Sequence, residues 1–560
     1  GSYNSALGSN ALLNNTTGSG NTAAGTSALR SNTIGYENAA NGYQALYNNT
    51  TGIFNTANGT NTLFSNTTGG INTATGRYAL YNNTTGSNNT AIGGNALLSN
   101  TTGEYNTANG VSALFANTTG SQNTANGVNA LHENTTGANN AAIGNNALFS
   151  NTTGNSNVAM GTGALLSNTN QSNLVAIGDS ALFNNGLGAT QVWEGTANTA
   201  IGSKVLYSNT TGQDNTAVGF WALKANTSGY RNTAIGIYAL ASNTTGSDNT
   251  AIGGFQALAF NTTGIFNTAV GSYCLNNNST GSKNTAIGWQ TLLGNTIGNE
   301  NTAYGFHALY FNNSGSGNSA IGQSASYYNN TGSNNSALGY YALLSNQSGS
   351  WNTAVGEYTD VSSAAANSRT MIGTRAYSEC DNCVVIGSVT GKNGSGVTAK
   401  IGIGTSNPTH TLEVGVNDAY KPGSSAWGVS SDKRLKQNIA PYTDGLVSVL
   451  QIKPITFRYT ENSGFDDKPQ YVGILAQELQ AIAPYMVSES EKTLKDGTSG
   501  QFLTVDNGAM TYMLINAIKE LAAKNETQQA NIEALQTKAN EIDAIKVEMQ
   551  QLKDLLNNKK

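Results

Sequence analysis

One short motif near the C-terminus holds the residue types best suited to chemistry, the serine and lysines of S-D-K-R-L-K at residues 431–436. The hydroxyl of a serine such as Ser431 is a poor nucleophile until a base removes its proton. A lysine amine such as that of Lys436 can act as this base when burial or neighbouring cations lower its pKa toward neutrality. Taken alone, the motif is more typical of a charged surface turn, so its meaning depends on the elements around it.

The cysteines and histidines are weaker candidates for a functional site. Cys380 and Cys383 form a lone C-x-x-C with no second pair and no nearby histidine, which favours a structural pair over a zinc site. His132, His307 and His410 are isolated, and we expect them to be exposed. Acidic residues are scarce and unphased, so no carboxylate pair suited to glycoside hydrolysis is predicted. We therefore expect neither a cofactor nor a bound metal.

A repeat of 17 residues fills most of the chain and must provide its scaffold. The string N-T-A-x-G recurs with its glycine every 17 residues from Gly8 onward, and the series ends at Gly387 after a last step of 14. Seven extra residues before Gly202 and one before Gly271 interrupt the series, and the phase resumes after each. A fixed period of this length indicates a solenoid.

The full unit reads N-T-A-I-G-x-x-A-L-x-x-N-T-T-G-x-x, as at residues 89–105. Its two apolar segments are too short for helices, and Gly and Asn turn signals bound them. If each unit is one coil, stacking buries the repeated Ala, Ile and Leu in a thin core and aligns Asn and Thr in hydrogen-bonded ladders. We predict a parallel β-solenoid of about 22 coils, on the order of 100 Å long at about 4.8 Å per coil.

This pattern resembles the left-handed parallel β-roll heads of trimeric autotransporter adhesins, whose coils carry N-x-x-A-I-G units, over residues 4–373. Similar repeats occur in bacterial proteins described as tail-fibre-like. The unit here is longer because it adds the N-T-T-G segment, so handedness and coil shape stay open. A coil whose inward residues are mostly alanine buries little apolar surface alone, and we therefore expect three chains to associate along the rod.

The variable positions of the repeat hold many of the 25 tyrosines, including Tyr43, Tyr78, Tyr238, Tyr340 and Tyr341. Tyrosine on a rigid frame suits contact with carbohydrate or protein, although stacking along the rod is the commoner reason for such rows. The N-T-T segment also matches the N-glycosylation sequon, but a turn that needs Asn and Thr produces the same pattern. Ice binding is disfavoured because the residues after the glycine vary in type.

The composition changes sharply near residue 400, where we expect a domain boundary. Residues 1–400 contain 22 charged side chains, whereas residues 401–560 contain 35. The segments I-G-I-G-T-S-N-P at 401–408 and T-L-E-V at 411–414 predict a β connector, and the first resembles a linker found in tail-fibre-like proteins. Its G-x-G is not a dinucleotide fingerprint, since no helix or third glycine follows.

Later motifs give S-D-K-R-L-K its meaning. They are I-T-F-R-Y at 455–459, V-G-I-L-A-Q-E-L at 472–479 and L-I-N-A-I-K-E-L at 514–521. In this order the set resembles the C-terminal intramolecular chaperone of phage endosialidase tailspikes, a self-cleaving domain. The resemblance implies that the domain trimerises and folds the fibre and then cuts at Ser431 and Asp432. Ser431 would be the nucleophile and Lys436, which fits the family's spacing, the base; the oxyanion donor is not identifiable.

Apolar residues from Leu514 to Leu556 follow mostly in alternating steps of four and three, the spacing of a coiled coil. Polar Asn525 and Gln528 interrupt the seam, and a buried polar layer commonly sets register and strand number. We predict a trimeric coiled coil here. The alternative is one amphipathic helix that packs on its own domain.

Charge and hydropathy exclude two classes of partner. The net charge is −5 and only 10% of the residues are charged, which argues against nucleic acid or an anionic membrane surface. No apolar run approaches the roughly 18 residues that a membrane span requires, so we expect no membrane insertion.

The sequence thus predicts a mainly β protein with a β-solenoid at 1–387, a β connector at 388–430, a small α+β chaperone and self-cleaving domain at 431–513, and a coiled-coil helix at 514–560. The predicted function is a homotrimeric extracellular fibre that presents a surface for a cell-surface glycan or protein, carried by a virion, an injection machine or a cell. Its enzymatic activity would be at most one self-cleavage by a Ser-Lys peptidase. The alternatives are a bacterial surface adhesin or matrix protein with the same modules, and a tailspike that degrades polysaccharide.

Overall fold

The computed structural model of the protein describes residues 1–403, 405–408, 411–414, 434, 436–463, 465 and 467–559. These residues form two compact units, Gly1–Ala399 and Lys400–Lys560. The first unit contains the repeats, and the second contains the C-terminal motifs.

The first unit is a β-solenoid, as predicted. Its short strands are β1 Ser5–Leu7, β2 Thr22–Ala24, β3 Ala39–Asn41, β4 Thr56–Asn58, β5 Thr73–Thr75, β6 Thr90–Ile92, β7 Thr107–Asn109, β8 Thr124–Asn126, β9 Ala141–Ile143, β10 Val158–Met160, β11 Val175–Ile177, β12 Thr199–Ile201, β13 Thr216–Val218, β14 Thr233–Ile237, β15 Thr250–Phe255, β16 Thr268–Val270, β17 Thr285–Ile287, β18 Thr302–Tyr304, β19 Ser319–Ile321, β20 Ser336–Leu338, β21 Thr353–Val355, β22 Asp360–Val361, β23 Thr370–Ile372, β24 Tyr377–Ser378 and β25 Val384–Ile386. Strands β22 and β24 pair with each other, and the remaining 23 form one parallel sheet.

Each strand of this sheet pairs with its equivalent in the next coil, so the register equals the repeat. Thr90, Ala91 and Ile92 lie beside Thr107, Ala108 and Asn109. The alanine points inward and is fully buried, as are the alanine and leucine of the A-L segment, Ala96 and Leu97. The A-L segment itself is a turn and not a strand. One Ala-Ala-Leu set per coil therefore builds the continuous core.

The prediction that the isoleucine of N-T-A-I-G is buried is wrong. Ile92 is 44% exposed, and the strands share a pattern in which only the central residue is fully covered. The reason is the period of two in a strand, which places Thr90 and Ile92 on the face opposite Ala91. A coil this thin has room for alanine between the strand and the leucine, so the larger side chain lies outside.

Two ladders of buried asparagine run along the solenoid, as the sequence predicts. Asn100 Nδ2 donates to Asn83 Oδ1 at 2.7 Å and to the carbonyl of Gly103 at 3.0 Å. Asn89 belongs to the second ladder, in which its side-chain oxygen accepts from the backbone N–H of Asn106 at 3.0 Å. A threonine row joins these ladders, with Thr101 Oγ1 donating to the carbonyl of the next coil at 3.0 Å. The buried amides are thus satisfied between layers.

The turns depend on left-handed backbone at three non-glycine positions in a typical coil, exemplified by Asn95, Leu97 and Tyr105 with φ of 60°, 53° and 58°. Gly93 has φ of 133°, and a Cβ there would lie 2.5 Å from the carbonyl oxygen of Gly110. The repeated glycines therefore lie one above another, and both the backbone conformation and the close approach require glycine. Leucine rarely adopts positive φ, and its burial in every layer holds it there.

Both interruptions of the period are absorbed without breaking the stack. The seven extra residues form a surface loop in which Glu194 Oε2 accepts from the backbone of Gln191 at 3.0 Å. Across this loop Asn209 still donates to Asn185, 24 residues away, at 2.9 Å. The single extra residue is accommodated between β14 and β15, where the register shifts after Ile235.

The second unit is small and mixed. Its elements are β26 (Ile401–Ile403), β27 (Leu412–Val414), α1 (Leu446–Gln451), β28 (Ile455–Phe457), β29 (Tyr471–Gly473), α2 (Ala476–Ile482), β30 (Val487–Thr493), β31 (Ser499–Val505) and α3 (Met510–Asn557), with 3-10 turns at Glu461–Ser463, Pro484–Met486 and Asn507–Ala509. Strands β26 and β27 are parallel, whereas β28–β29 and β30–β31 are antiparallel pairs.

Few side chains of this unit are buried. Leu479, Ala483, Met486 and Met513 form its core, so α2 and the start of α3 pack together. Helix α3 has 48 residues, of which only Met513 and Ala517 are buried. From Leu521 to Asn557 every residue of the helix is exposed.

Candidate functional site

Only part of the candidate self-cleavage motif lies within the described residues. Ser431 and Asp432 lie outside the described residues, so their geometry remains a prediction. Lys436 is described and its side chain is exposed. The described residues therefore include Lys436 of the predicted Ser431–Lys436 pair and the segment that follows Lys436.

That following chain is tied to helix α3. Asn516 Nδ2 donates to the carbonyls of Tyr442 and Asp444 at 2.8 and 3.1 Å. Glu520 Oε2 accepts from the backbone N–H of Leu446 at 2.9 Å, at the start of α1. The segment that leaves the motif is therefore held by the first turns of the helix that the sequence predicts to trimerise.

A tyrosine and carboxylate cluster lies on the same segment and was not predicted. The phenol of Tyr485 donates to Asp444 Oδ2 and also contacts the phenol of Tyr442. Burial, followed by the hydrogen bond to Asp444, raises the pKa of Tyr485 above its ordinary value. The sequence signal was weak because these residues are 41 positions apart.

The later motifs occupy regular elements around the small core. Thr456 lies opposite Val472 in the β28–β29 pair, and A-Q-E-L forms the start of α2. Leu479, the last residue of that motif, is buried between helices. These motifs thus serve the packing of the domain that carries S-D-K-R-L-K.

Cys380 and Cys383 form a disulfide in the loop before β25, in agreement with the prediction of a structural pair. Among the described residues, no group of three or more His, Cys, Asp or Glu side chains is close enough to hold a metal ion. No helix in the described part of the chain is long and apolar enough to cross a membrane.

The prediction that the histidines are isolated and exposed is wrong for the two that the structure describes. His132 is stacked between Phe115 and Phe149, with ring centroids 4.9 Å apart on each side. His307 lies against Phe306 and its Nε2 is 2.8 Å from Gln290 Oε1. Side chains at equal repeat positions are one layer apart, which brings these rings into rows. His410 lies outside the described residues.

The outward side of the long sheet is a second candidate surface, which we call the Thr–Ile face. It consists of the first and third residues of the 23 strands, and no charged residue occupies either position. From coil to coil the third position is continuously apolar at Ile143, Met160, Ile177, Ile201, Val218, Ile235, Ile252, Val270, Ile287, Tyr304, Ile321, Leu338, Val355, Ile372 and Ile386. The face was not predicted because the isoleucines were expected in the core, although the alternation T-A-I was the available signal.

Helix α3 presents a comparable apolar seam. Seven residues of the predicted coiled-coil spacing are exposed, namely Ile532, Leu535, Ile542, Ile545, Met549, Leu552 and Leu556. A helix whose apolar seam is left exposed by the described residues is typical of a coiled-coil strand.

Comparisons with known proteins agree with the motifs of the second unit. Residues 431–488 match the family model described as chaperone of endosialidase. The chain is 32% identical over 96 residues to the long tail fiber protein Gp37 of Enterobacteria phage K3 and, equally, to that of Enterobacteria phage T2. Each match covers 17% of this chain and 7% of the relative. The protein therefore carries a C-terminal chaperone-of-endosialidase domain behind a β-solenoid, and over 96 residues it is similar to phage long tail fibre proteins.

Proposed function

We propose, starting from this C-terminal domain, that the protein is a homotrimeric tail-fibre-like protein that folds with the help of residues 431–513 and then cleaves itself near Ser431-Asp432. The observation that carries the proposal is the match of residues 431–488 to the endosialidase chaperone family. The solenoid of residues 1–387 would be the fibre, residues 388–430 its connector and residues 514–560 a trimeric coiled coil. The fibre would lie outside the cell, on a virion, and present a receptor-binding surface.

Two apolar surfaces support self-association. The Thr–Ile face is free of charge over 23 strands, and the seam of α3 leaves seven large apolar side chains in water. Soluble monomers rarely leave contiguous apolar surfaces of this extent uncovered. A parallel coiled coil at the C-terminus would bring the three chains into the same register before the shafts meet.

The small core of the second unit supports a domain that works as an assembly. Among the described residues, four form its buried cluster, Leu479, Ala483, Met486 and Met513. A core of this size contributes little stability alone, so the chaperone is expected to fold as the trimer forms. Processing would then follow assembly.

The proposed cleavage needs only residues of this chain and water. Ser431 Oγ attacks the carbonyl carbon of Ser430 while the amine of Lys436 takes its proton, so that the Ser430–Ser431 peptide bond breaks and an ester forms between the Ser430 carbonyl and Ser431 Oγ. Lys436 passes that proton to the leaving amine, and water then hydrolyses the ester that links the shaft to Ser431. Both steps are nucleophilic substitutions at a carbonyl carbon, and the two together consume one water molecule.

The surface disulfide supports the extracellular assignment. Cys380 and Cys383 are bonded at the end of the solenoid. Disulfides persist outside the reducing interior of a cell and are rare inside it. A fibre on a released particle meets this condition.

The experiment compares the wild type with Ser431→Ala and the matched neighbour variant Ser430→Ala. We expect denaturing electrophoresis to show a fragment of about 430 residues, as the motif position requires, for the wild type and Ser430→Ala but not for Ser431→Ala. Lys436→Arg keeps the charge but removes a usable base, so it should also stay intact. Native mass spectrometry should give three copies. An uncleaved wild type, or a monomer, would contradict the proposal.

A further inference from the structure

A cleft lined by aromatic rings opens on the side of the solenoid near residues 306–358. It encloses about 560 Å³. Its lining consists of Phe306, His307, Gln323, Ser324, Tyr327, Tyr328, Tyr341, Leu344 and Tyr358. No lining residue carries a carboxylate or a permanent cation.

The cleft lies where one coil has no aromatic ring at a repeat position that carries rings in the neighbouring coils. The second residue after the repeat glycine is His307, Ser324, Tyr341 and Tyr358 in four successive coils. Tyr341 and Tyr358 stack with ring centroids 5.5 Å apart, so adjacent coils fill the row when both carry rings. Ser324 has no ring, and His307 and Tyr341 are therefore separated by two layers, about 10 Å at the usual strand spacing.

This gap of about 10 Å has room for one more ring. A ring in van der Waals contact with a face on each side needs about 3.5–4.0 Å to each of them. Tyr327, Tyr328, Gln323 and Ser324 also line the cleft, and the ring centroid of Tyr327 lies 5.7 Å from that of His307. The cleft thus combines aromatic rings with polar groups of Gln323, Ser324 and the tyrosine phenols.

The walls are held in place before any ligand arrives. Tyr327 stacks on Tyr310 with centroids 5.1 Å apart, and His307 is fixed by its contact with Gln290. Burial lowers the pKa of His307, so its imidazole is neutral at neutral pH. Rigid aromatic walls reduce the entropy lost on binding.

We propose that this cleft binds one ring of a neutral saccharide, stacked between His307 and Tyr341 with its hydroxyls on Gln323, Ser324 and the tyrosine phenols. The proposal rests on the proposed function, since it gives the fibre's receptor-binding surface a position and a ligand class. An uncharged lining disfavours acidic saccharides, which need cationic partners. A saccharide ring has C–H faces that stack on aromatic rings and hydroxyls at its edge, so it fits a cleft of aromatic rings with a few polar groups better than a peptide side chain does.

Ser324→Tyr tests the slot by supplying the missing ring. The backbone tolerates the change, because Ser324 has φ of 55° and Tyr341 at the same repeat position has φ of 51°. The matched control is Ser112→Tyr, at the same repeat position with φ of 55°, far from the cleft. Tyr341→Ala is a second variant, which removes one wall without filling the slot.

Binding is measured by saturation-transfer NMR with defined neutral oligosaccharides of hexose, deoxyhexose and N-acetylhexosamine units, and with sialylated and uronate-containing ones for comparison. We expect a neutral saccharide to bind the wild type and Ser112→Tyr, and to bind Ser324→Tyr and Tyr341→Ala at least about tenfold more weakly, the loss of one binding anchor. Absence of neutral-saccharide binding by the wild type, equal binding by Ser324→Tyr, or preference for the acidic panel would overturn the proposal.

The same preparations are assayed for trimer mass and for cleavage, which separates the two proposals. A cleaved trimer that ignores every neutral saccharide would overturn the cleft alone. A saccharide-binding protein that neither trimerises nor cleaves would support the cleft and contradict the proposed function.

Discussion

At the scale of single residues, the two buried asparagines of each coil do work that few other side chains could do. An amide has a donor and an acceptor, so Asn100 can donate to Asn83 below and accept from Asn117 above, at 2.7 and 2.8 Å. Aspartate would repel its equivalents in adjacent layers, and alanine would leave both neighbours unsatisfied.

Asn100→Ala should loosen the coils around it. It deprives Asn83 Oδ1 of its donor and Asn117 Nδ2 of one acceptor. We expect the local opening free energy to fall by about 2 kcal/mol, the cost of buried polar groups left unpaired. Hydrogen exchange of the backbone amides in these coils measures it. Asn109→Ala, at an outward position, should change it by less than about 0.5 kcal/mol; equal effects of the two variants would contradict the ladder argument.

Cys274 offers a chemical reporter of the shaft. It is the one free cysteine among the described residues and is buried, and burial raises the pKa of its thiol to about 12. The reactive thiolate is therefore scarce and shielded at about pH 8, where an unperturbed thiol of pKa about 8.5 is substantially ionised. We expect iodoacetamide to leave Cys274 unmodified in the native protein and to alkylate it in denaturant, as read by mass spectrometry. Rapid alkylation of the native shaft would show that its core is open.

At the scale of the element, each coil is a thin layer whose strand has two unequal faces. The inward face carries alanine in 21 of the 23 strands, with Met371 and Val385 in the last two, and most larger apolar residues of the strands are placed outward in row after row. Because equivalent positions of successive coils lie side by side, one apolar side chain per coil becomes a continuous apolar surface along the sheet.

Lysine on this surface should weaken trimers without unfolding the coil. Ile252 and Ile287 are outward residues of β15 and β17, so Ile252→Lys with Ile287→Lys leaves the core intact. Burying two ammonium groups between chains is unfavourable, and we expect association to weaken at least about tenfold. Sedimentation equilibrium measures this. The control is Ser272→Lys, at the residue after the repeat glycine, where Arg77 and Glu357 occur naturally; if all variants remain equally trimeric, the Thr–Ile face is not the interface.

At the scale of the whole molecule, a shaft of similar coils must assemble in one register, and the proposed role of the C-terminal domain is to set that register. Each coil gains its stability from its neighbours, so the isolated shaft has no strong local nucleus and many equivalent registers. A C-terminal domain that assembles first would choose the register for all three chains.

Refolding should therefore depend on an intact chain. We expect uncleaved Ser431→Ala to recover trimers after dilution from denaturant, and the isolated wild-type shaft to recover far fewer, because the register-setting domain is gone. Native mass and protection of Cys274 from alkylation report the yield. Equal recovery by both would contradict a chaperone role while leaving the solenoid unaffected.

The sequence alone determined the solenoid, its period, its alanine and leucine core, its asparagine ladders and the motifs of the C-terminal domain, because each is a spacing along the chain. It did not determine which side of a three-residue strand faces inward, so Ile92 was assigned to the core until the layer thickness placed it outside. Nor could the sequence show that the rings of His132 and His307 contact aromatic rings of adjacent coils. Contacts between layers depend on three-dimensional stacking, and the cleft at Ser324 arises from a side chain that is missing relative to its neighbours in space.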